Sequence, residues 1–356
     1  MDFTSFISKY QKVPVEVYPS QAFENPIVSV CVQTYQHSKF IRECLDGILN
    51  QVTDFPIEVL LGEDESTDGT REICIDYANK FPEKIRLFLH SRKNNIEIEG
   101  TPTGRFNVLY NLLSAKGKYI ALCEGDDYWI DPYKLQKQVD FLAANEDYSI
   151  CFHRVYELNE GKGYLLSNLN SSETQEDYTI QDLAKGNFLH TPSVIYRNGL
   201  IKIYPEWFEK IAVGDYVMHM LYAQYGKIKY LPEAMAVYRL NSGVWSNKSY
   251  HYRATNMMIV INHLVEYFED NTILDILVNQ QISLLQNLKK SGGEFNSDKR
   301  YLLYSKLIEV INEKDAELLN LNKNLINLNE KNEANGWVLK KIKSKLLRYK
   351  VNSGKR

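Results

Sequence analysis

The chain has 356 residues, 44% hydrophobic and 24% charged, which is ordinary globular material, long enough for one large domain plus an appendage. Its formal net charge of -3 at pH 7 offers no uniform basic field, so nucleic acid is not an expected partner. Cys31, Cys44, Cys74, Cys123 and Cys151 sit in apolar segments without C-x-x-C pairing, an odd set that reads as reduced core thiols in a reducing compartment.

Residues 1–25 read as an N-terminal extension in which Asp2, Lys9, Lys12 and Glu16 interrupt scattered aromatics, unlike the apolar core of a signal peptide. No later stretch reaches the roughly 18 apolar residues of a membrane span. A cytoplasmic protein is expected.

From Pro26 to Trp129 short apolar runs alternate with helix-period segments, the pattern of βαβ units and a mainly parallel sheet. The strand-like runs are Ile27–Val32, Ile57–Leu61, Ile85–Leu89 and Tyr119–Cys123. Between the first two, Phe40, Ile41, Cys44, Leu45, Ile48 and Leu49 recur at helical spacing. Ser66-Thr67-Asp68 offers capping oxygens ahead of a helix around Arg71–Lys80, and a further helix is expected over Arg105–Ala115.

After Trp129 the spacing predicts a helix over Lys134–Asn145, a strand at Ser149–His153 and a mobile polar loop from Asn159 to Asp177. A strand at Pro192–Tyr196, a helix beginning near Asp215 and a strand at Ile228–Leu231 complete one α/β domain over residues 26–250. Pro232 onward leads toward a loop, Gly243-Val244-Trp245-Ser246.

Residues 251–335 read as helical. Leu307, Ile311, Lys314, Leu318, Leu321, Leu325, Leu328 and Asn332 form a weak heptad seam, either an oligomerising coiled coil or a helix packed on the domain. Residues 336–356 carry Lys340, Lys341, Lys343, Lys345, Arg348, Lys350, Lys355 and Arg356 with no acid among them, interleaved with Val338, Leu339, Ile342, Leu346 and Leu347. That is either a basic amphipathic helix suited to an anionic membrane surface, and so a peripheral contact with the inner face of the cell membrane, or a solvated tail.

The most informative segment is Glu124-Gly125-Asp126-Asp127-Tyr128-Trp129, directly after an apolar strand. In an α/β sheet the loop at a strand's carboxyl end is where ligands bind, and carboxylates there are hard ligands for Mg²⁺ or Mn²⁺. Alone, it reads as a solvated acidic turn. A second acidic cluster, Glu63-Asp64-Glu65-Ser66-Thr67-Asp68-Gly69-Thr70, ends another strand of the same sheet, and parallel strands bring both loops to one edge.

Together with Val28-Ser29-Val30-Cys31-Val32-Gln33-Thr34-Tyr35 and Gly117-Lys118-Tyr119-Ile120-Ala121-Leu122, these elements resemble, in order, the family-2 glycosyltransferases across residues 26 to 250. The resemblance implies an inverting enzyme of GT-A fold, a Rossmann-like, mainly parallel sheet flanked by helices. It implies that Gln33, Tyr35 and Asp64 contact the nucleotide, that Arg105 approaches the diphosphate, and that Asp126 binds the metal, Mn²⁺ or Mg²⁺. Glu124 stands where the family usually has Asp and keeps an acceptor for ribose. Val213-Gly214-Asp215 resembles the acidic motif before a helix, making Asp215 the expected catalytic base, or else a helix N-cap. Tyr238-Arg239 and Trp245 resemble the loop that closes on the donor. There Arg239 is a candidate phosphate partner or a structural ion pair, and Trp245 stacks on a sugar or packs the loop.

The implied partners are a nucleotide-sugar donor, with UDP favoured, and a glycan or lipid-linked acceptor in surface polysaccharide synthesis. A homo-oligomer is a further expectation from the heptad seam. Two other readings compete. A sugar nucleotidyltransferase would need a Gly-rich basic loop where Thr34-Tyr35-Gln36-His37 stands, and an inactive nucleotide-sugar-binding scaffold sits poorly with Asp126 and Asp215. Histidine spacing gives no H-E-x-x-H, and neither a G-x-x-x-x-G-K-[ST] nor a G-x-G-x-x-G loop occurs.

Overall fold

The computed structural model describes residues 2–22, 24–98, 100–159, 161–167, 175–240 and 248–290. It divides into two compact units, Met1–Ser249 and Tyr250–Arg356. In chain order the first unit holds α1 (Phe3–Tyr10), β1 (Glu16–Val17), β2 (Val28–Thr34), α2 (Ile41–Leu49), β3 (Ile57–Glu63), α3 (Thr70–Lys80) and β4 (Ile85–Leu89). A small hairpin of β5 (Glu97–Ile98) and β6 (Thr101–Pro102) precedes α4 (Arg105–Ser114), β7 (Tyr119–Leu122), β8 (Tyr128–Trp129) and α5 (Lys134–Ala144). Then come β9 (Tyr148–Asn159), β10 (Gly163–Leu166), β11 (Asp177–Tyr178), α6 (Ile180–Ala184), β12 (Ile195–Arg197), α7 (Gly214–Ala223) and β13 (Lys227–Leu240).

The main sheet runs β1-β4-β3-β2-β7-β12-β9-β13-β11, with β10 added to β9 and β8 to β13. Strands β4, β3, β2 and β7 are parallel, as are β9 and β13, while β12 runs against both its neighbours. Strands β2, β3 and β7 are almost wholly buried, which is why they read as continuous apolar runs rather than alternating ones. Pairing from Val28↔Ile57 to Thr34↔Glu63 and from Val28↔Tyr119 to Cys31↔Leu122 keeps the three strands level, so their carboxyl ends open on one edge. One core cluster joins them to α2 and α5 through Ile41, Leu45, Ile48, Leu135 and Leu142. All five cysteines are free and buried.

Three elements depart from the sequence expectation. Strand β13 does not stop at Leu231: its register shifts between Leu231 and Ala234, so Pro232 and Glu233 bulge outward and pairing resumes as far as Leu240. The bulge absorbs the missing proline N–H, which is how a strand survives a residue that reads as a breaker. Strand β9 runs on to Asn159 and turns back as β10, so the stretch expected to be a loop contains a hairpin, and residues 168–174 lie outside the described ones.

The N-terminal residues also join the first unit. Asp2 caps α1 by accepting from Ser5 N–H at 2.8 Å, Phe6 is fully buried 4.9 Å ring-to-ring from Phe106, and β1 pairs with β4.

In the second unit α8 (Tyr250–Tyr267) and α9 (Asn271–Lys290) pack through Ala254, Met258, Leu285 and Leu288, and Gln281 Nε2 donates to Asn262 Oδ1 at 2.6 Å. The heptad seam from Leu307 to Asn332, the basic segment 337–356 and the 241–247 loop with Trp245 lie outside the described residues. Among the described residues no helix is long and apolar enough to cross a membrane.

Candidate active site

The carboxyl ends of β2 and β3 are stitched together by their loops. Asp64 N–H donates to Thr34 O at 3.1 Å, Gln36 N–H to Ser66 Oγ at 2.9 Å, and Ser38 N–H to Asp68 Oδ2 at 3.0 Å. Gln36 and Glu65 hold left-handed backbone, φ 57° and 61°, to make these turns. Most of the second acidic cluster is spent on structure. Glu63 takes the Ser66 N–H at 2.7 Å and pairs with Arg71 at 2.5 Å, and Glu65 takes the Arg92 N–H at 2.6 Å. Although burial raises it, Asp68 is held at about 2 by hydrogen bonds from Thr70 and Ser38.

Asp64 is different. Its Oδ2 accepts from Arg92 at 2.8 Å and from Asn95 Nδ2 at 3.0 Å, whereas its buried Oδ1 has no hydrogen-bond partner. Burial pushes its carboxyl up to about 6, with Asn95 and Arg92 pulling the other way. The Arg92 guanidinium also lies 3.9 Å over the Tyr35 ring, so Tyr35, Asp64, Arg92 and Asn95 form one group, and the buried Gln33 Nε2 nearby along β2 has no partner either. An aromatic face, an unsatisfied acceptor and an unsatisfied donor are what a nucleobase and ribose require.

The loop after β7 lies directly on β2. Gly125 N–H donates to Gln33 O at 2.9 Å, and a Cβ on Gly125 would come within 2.7 Å of Thr34 Oγ1 and 2.8 Å of His37 Nδ1. Only glycine lets the loop approach so closely, and that places Glu124 and Asp126 over the strand ends.

Glu124 is exposed but crowded by protein on its other sides; that desolvation, then Asp126 and Asp215, raises its carboxyl, while Arg105 lowers it. Water reaching the group keeps the shift smaller than for a sealed carboxylate. Asp127 is buried, its carboxyl raised by burial and by Asp126, and it anchors the loop by accepting from Arg239 N–H at 2.9 Å. The Arg239 guanidinium binds Asp126 O and the Glu43 carboxylate and lies 4.7 Å from both the Phe40 and Tyr128 rings. It thus ties the acidic loop to Glu43 of α2.

Across the edge, Asp215 is the second residue of α7 and half-buried; the N-cap is Val213, with no side-chain cap. Asp215 therefore does not serve as the N-cap, because the helix starts two residues earlier than that reading requires. Arg105, at the start of α4, donates to Ile211 O at 2.8 Å and Ala212 O at 3.4 Å, and a Cβ on Gly214 would lie 1.9 Å from its Nη1. Glycine before Asp215 is thus the space in which Arg105 sits. Burial draws the Arg105 guanidinium down to about 10, opposed by the charges of Asp215 and Glu124. Arg105 is still cationic at neutral pH, set between two acids from different loops.

Tyr238 closes this group: burial and then Asp127, Glu124, Asp215 and Asp126 raise its hydroxyl, and its ring lies 5.2 Å from His190. One turn beyond Asp215, buried His219 meets Tyr196 OH at 2.6 Å and is pushed down to about 4 by burial, against the pull of Asp215.

Gln33, Tyr35, Asp64, Arg105, Glu124, Asp126 and Asp215 thus belong to one edge. Sequence reasoning missed Arg92 and Asn95. The same strand-end rule applied to the run Ile85–Leu89 points to Arg92 and Asn95; Tyr238, read in the sequence with the loop that closes on the donor, lies instead in β13, which brings it in beyond a bulge. Among the described residues no cluster of three or more His, Cys, Asp or Glu is arranged to hold a metal ion.

The family model described as Glycosyl transferase family 2 matches residues 29–203. An uncharacterised protein of Mycobacterium tuberculosis is 37% identical over 219 residues, 61% of this chain and 60% of the relative, so the match spans about three fifths of that protein. An uncharacterised glycosyltransferase of Nostoc sp. is 25% identical over 222 residues, 60% of this chain and 65% of its own length. Among solved structures, Staphylococcus aureus TarS 1–349 superposes with a TM-score of 0.55 at 20% identity, covering 79% of this chain and 78% of that one. The same protein in complex with UDP-GlcNAc gives a TM-score of 0.54 at 19% identity, covering 78% and 79%. The shared fold is GT-A.

Proposed function

Through residues 29–203 the chain belongs to glycosyl transferase family 2, and from that premise we propose that it is an inverting, metal-dependent glycosyltransferase. It moves a sugar from a nucleotide-sugar, a UDP-sugar before others, to an acceptor hydroxyl in surface polysaccharide or glycan synthesis. The observation that carries this reading is the convergence on one sheet edge of Asp64, with its open oxygen, and the group Glu124, Asp126, Arg105 and Asp215.

In this reading Tyr35 and Gln33 hold the base and ribose, and Asp64 Oδ1 takes the imide N–H of a uracil ring. TarS in complex with UDP-GlcNAc and with UDP favours UDP as the first nucleotide to try here. Glu124 accepts from a ribose hydroxyl. Arg105 faces the diphosphate with a charge fixed by the carbonyls of residues 211 and 212.

Asp126, with Glu124 beside it, would hold Mn²⁺ or Mg²⁺; an oxygen-only donor set suits a hard cation that completes its shell with water and phosphate. When bound, such a cation supplies positive charge for the departing diphosphate. Asp215 removes the proton from the acceptor hydroxyl as that oxygen bonds to the anomeric carbon. The bond from that carbon to the diphosphate breaks on the opposite face, so the configuration inverts and the nucleoside diphosphate leaves.

The test is release of nucleoside diphosphate from a panel of UDP-, GDP- and dTDP-sugars with Mn²⁺, Mg²⁺ or chelator. Divalent-dependent turnover of one donor is expected. Tight nucleotide binding with no turnover on any donor or acceptor would favour a binding or scaffold protein instead.

A further inference from the structure

Strand β9 leaves the sheet at the carboxyl edge, where its last residues pair with Tyr238, Arg239 and Leu240 of β13, and then turns back as β10. The register Leu166↔Tyr156 and Tyr164↔Leu158 puts Tyr156, Leu158, Tyr164 and Leu166 on one face of this hairpin, since directly opposed residues of an antiparallel pair share a face. Three of the four are open to solvent, Tyr156 at 36%, Tyr164 at 58% and Leu166 at 40%. Their exposure needs a reason, because contiguous apolar surface at the rim of a site marks recognition.

The hairpin is tied to the acidic loop. Tyr164 OH lies 3.1 Å from Tyr128 OH, and Tyr128 follows Asp126-Asp127 directly; the Tyr156 and Tyr164 rings meet edge to face at 6.4 Å. On the hairpin's other side Glu157 Oε1 stands 3.2 Å from His190 Nε2, and His190 packs on Tyr238. Along the edge the order is therefore Tyr35 and Asp64 at β2 and β3, the acidic loop at β7, then the tyrosine hairpin at β9 and β10. The nucleotide end lies on one side of the acidic loop and the hairpin on the other.

We propose that Tyr156 and Tyr164, with Tyr128 at their base, form a platform that binds the sugar rings of a glycan acceptor beside the acidic loop. The aromatic face is electron-rich and attracts the polarised C–H bonds on one side of a pyranose ring, while phenolic hydroxyls bond the ring's hydroxyls. Tyrosine offers both at small entropic cost. This rests on the transferase reading for the identity of the ligand as acceptor, not for the existence of the platform.

The full chain is titrated calorimetrically with tetrasaccharides of β-1,4-N-acetylglucosamine, β-1,4-glucose, α-1,4-glucose and α-1,2-mannose, and separately with UDP. At least one saccharide is expected to bind, about tenfold more weakly in Tyr156→Ala and Tyr164→Ala. Tyr225→Ala, an exposed tyrosine elsewhere, is expected to leave the saccharide affinity unchanged, and the hairpin variants to keep their UDP affinity. No saccharide binding, or binding indifferent to both hairpin substitutions, overturns the platform. So does hairpin-dependent sedimentation with phosphatidylcholine vesicles in place of saccharide binding, which would make the patch a lipid contact. Hairpin-dependent saccharide binding in a chain that turns over no donor leaves the platform standing and removes the transferase reading; donor turnover with no hairpin effect does the reverse.

Discussion

Asp64 shows how one carboxylate carries both a cost and a use. Its ordinary value of 3.8 is raised to about 6, so the folded protein disfavours the charged form. The sign follows from linkage. Below about pH 4 the group is neutral in both states. As the pH rises toward 6 the unfolded chain gives up its proton first, and stability is lost until the folded group has also titrated. Asp64→Asn is therefore expected to stabilise the protein at pH 7 by up to about 3 kcal/mol, at roughly 1.4 kcal/mol per pKa unit. The advantage should vanish by pH 4, as read by denaturant melts across pH. The same substitution should weaken binding of uridine, which has no titrating phosphate. In the parent, uridine affinity should fall as the pH drops through 6, because the carboxylate is the acceptor. Uridine affinity flat between pH 5 and 7 would remove Asp64 from the base site. Asp64 was visible in the sequence as one of several acids. That its Oδ1 stays open while its neighbours are paired was not, because Glu63, Glu65 and Asp68 find partners in Arg71, Arg92 and Ser38, outside the cluster.

Helices α4 and α7 meet at Arg105, and a glycine decides the fit. Gly214→Ala would set a methyl 1.9 Å from Arg105 Nη1, displacing the end of a flexible side chain without disturbing the core. Catalytic efficiency is expected to drop at least about tenfold with a melting temperature close to the parent's, since a misplaced charge near the diphosphate costs on the order of 1.4 kcal/mol or more. Equal losses of stability and activity would mean that Arg105 is only structural. Gly62 gives the opposite case. Its added Cβ would fall 1.8 Å from buried Asn107 Oδ1, whose amide holds Gly62 O at 2.8 Å, so Gly62→Ala is expected to cost about 1–3 kcal/mol of stability in chemical denaturation.

The parallel strands and their helices were legible because burial on both faces writes a continuous apolar run. The continuation of β13 beyond Pro232 and the β9–β10 hairpin were not, because a bulge hides the first and a polar, tyrosine-rich composition hides the second. Helix α1 escaped notice for a related reason: its one fully buried side chain, Phe6, finds its partner Phe106 a hundred residues away.

For the molecule as a whole, the first unit brings Asp64, the acidic loop, Asp215 and the hairpin to one sheet edge; the second unit contributes α8 and α9, and the sequence of residues 336–356 is rich in Lys and Arg. We propose that residues 336–356 make a peripheral contact with anionic membrane. Removing them should abolish sedimentation with phosphatidylserine vesicles at low salt and leave turnover of a soluble donor intact; undiminished sedimentation would contradict the contact.

The division of labour between Asp126 and Asp215 tests the transferase reading most directly. Donor turnover and nucleotide binding should be measured side by side for the intact chain, Asp126→Ala and Asp215→Asn. Asp126→Ala should lose turnover together with divalent-dependent nucleotide binding. Asp215→Asn should bind nucleotide as the parent does and lose transfer by roughly 10²–10⁴-fold, the span of a general base. Transfer that survives Asp215→Asn, or divalent-dependent nucleotide binding that survives Asp126→Ala, would contradict the assignment.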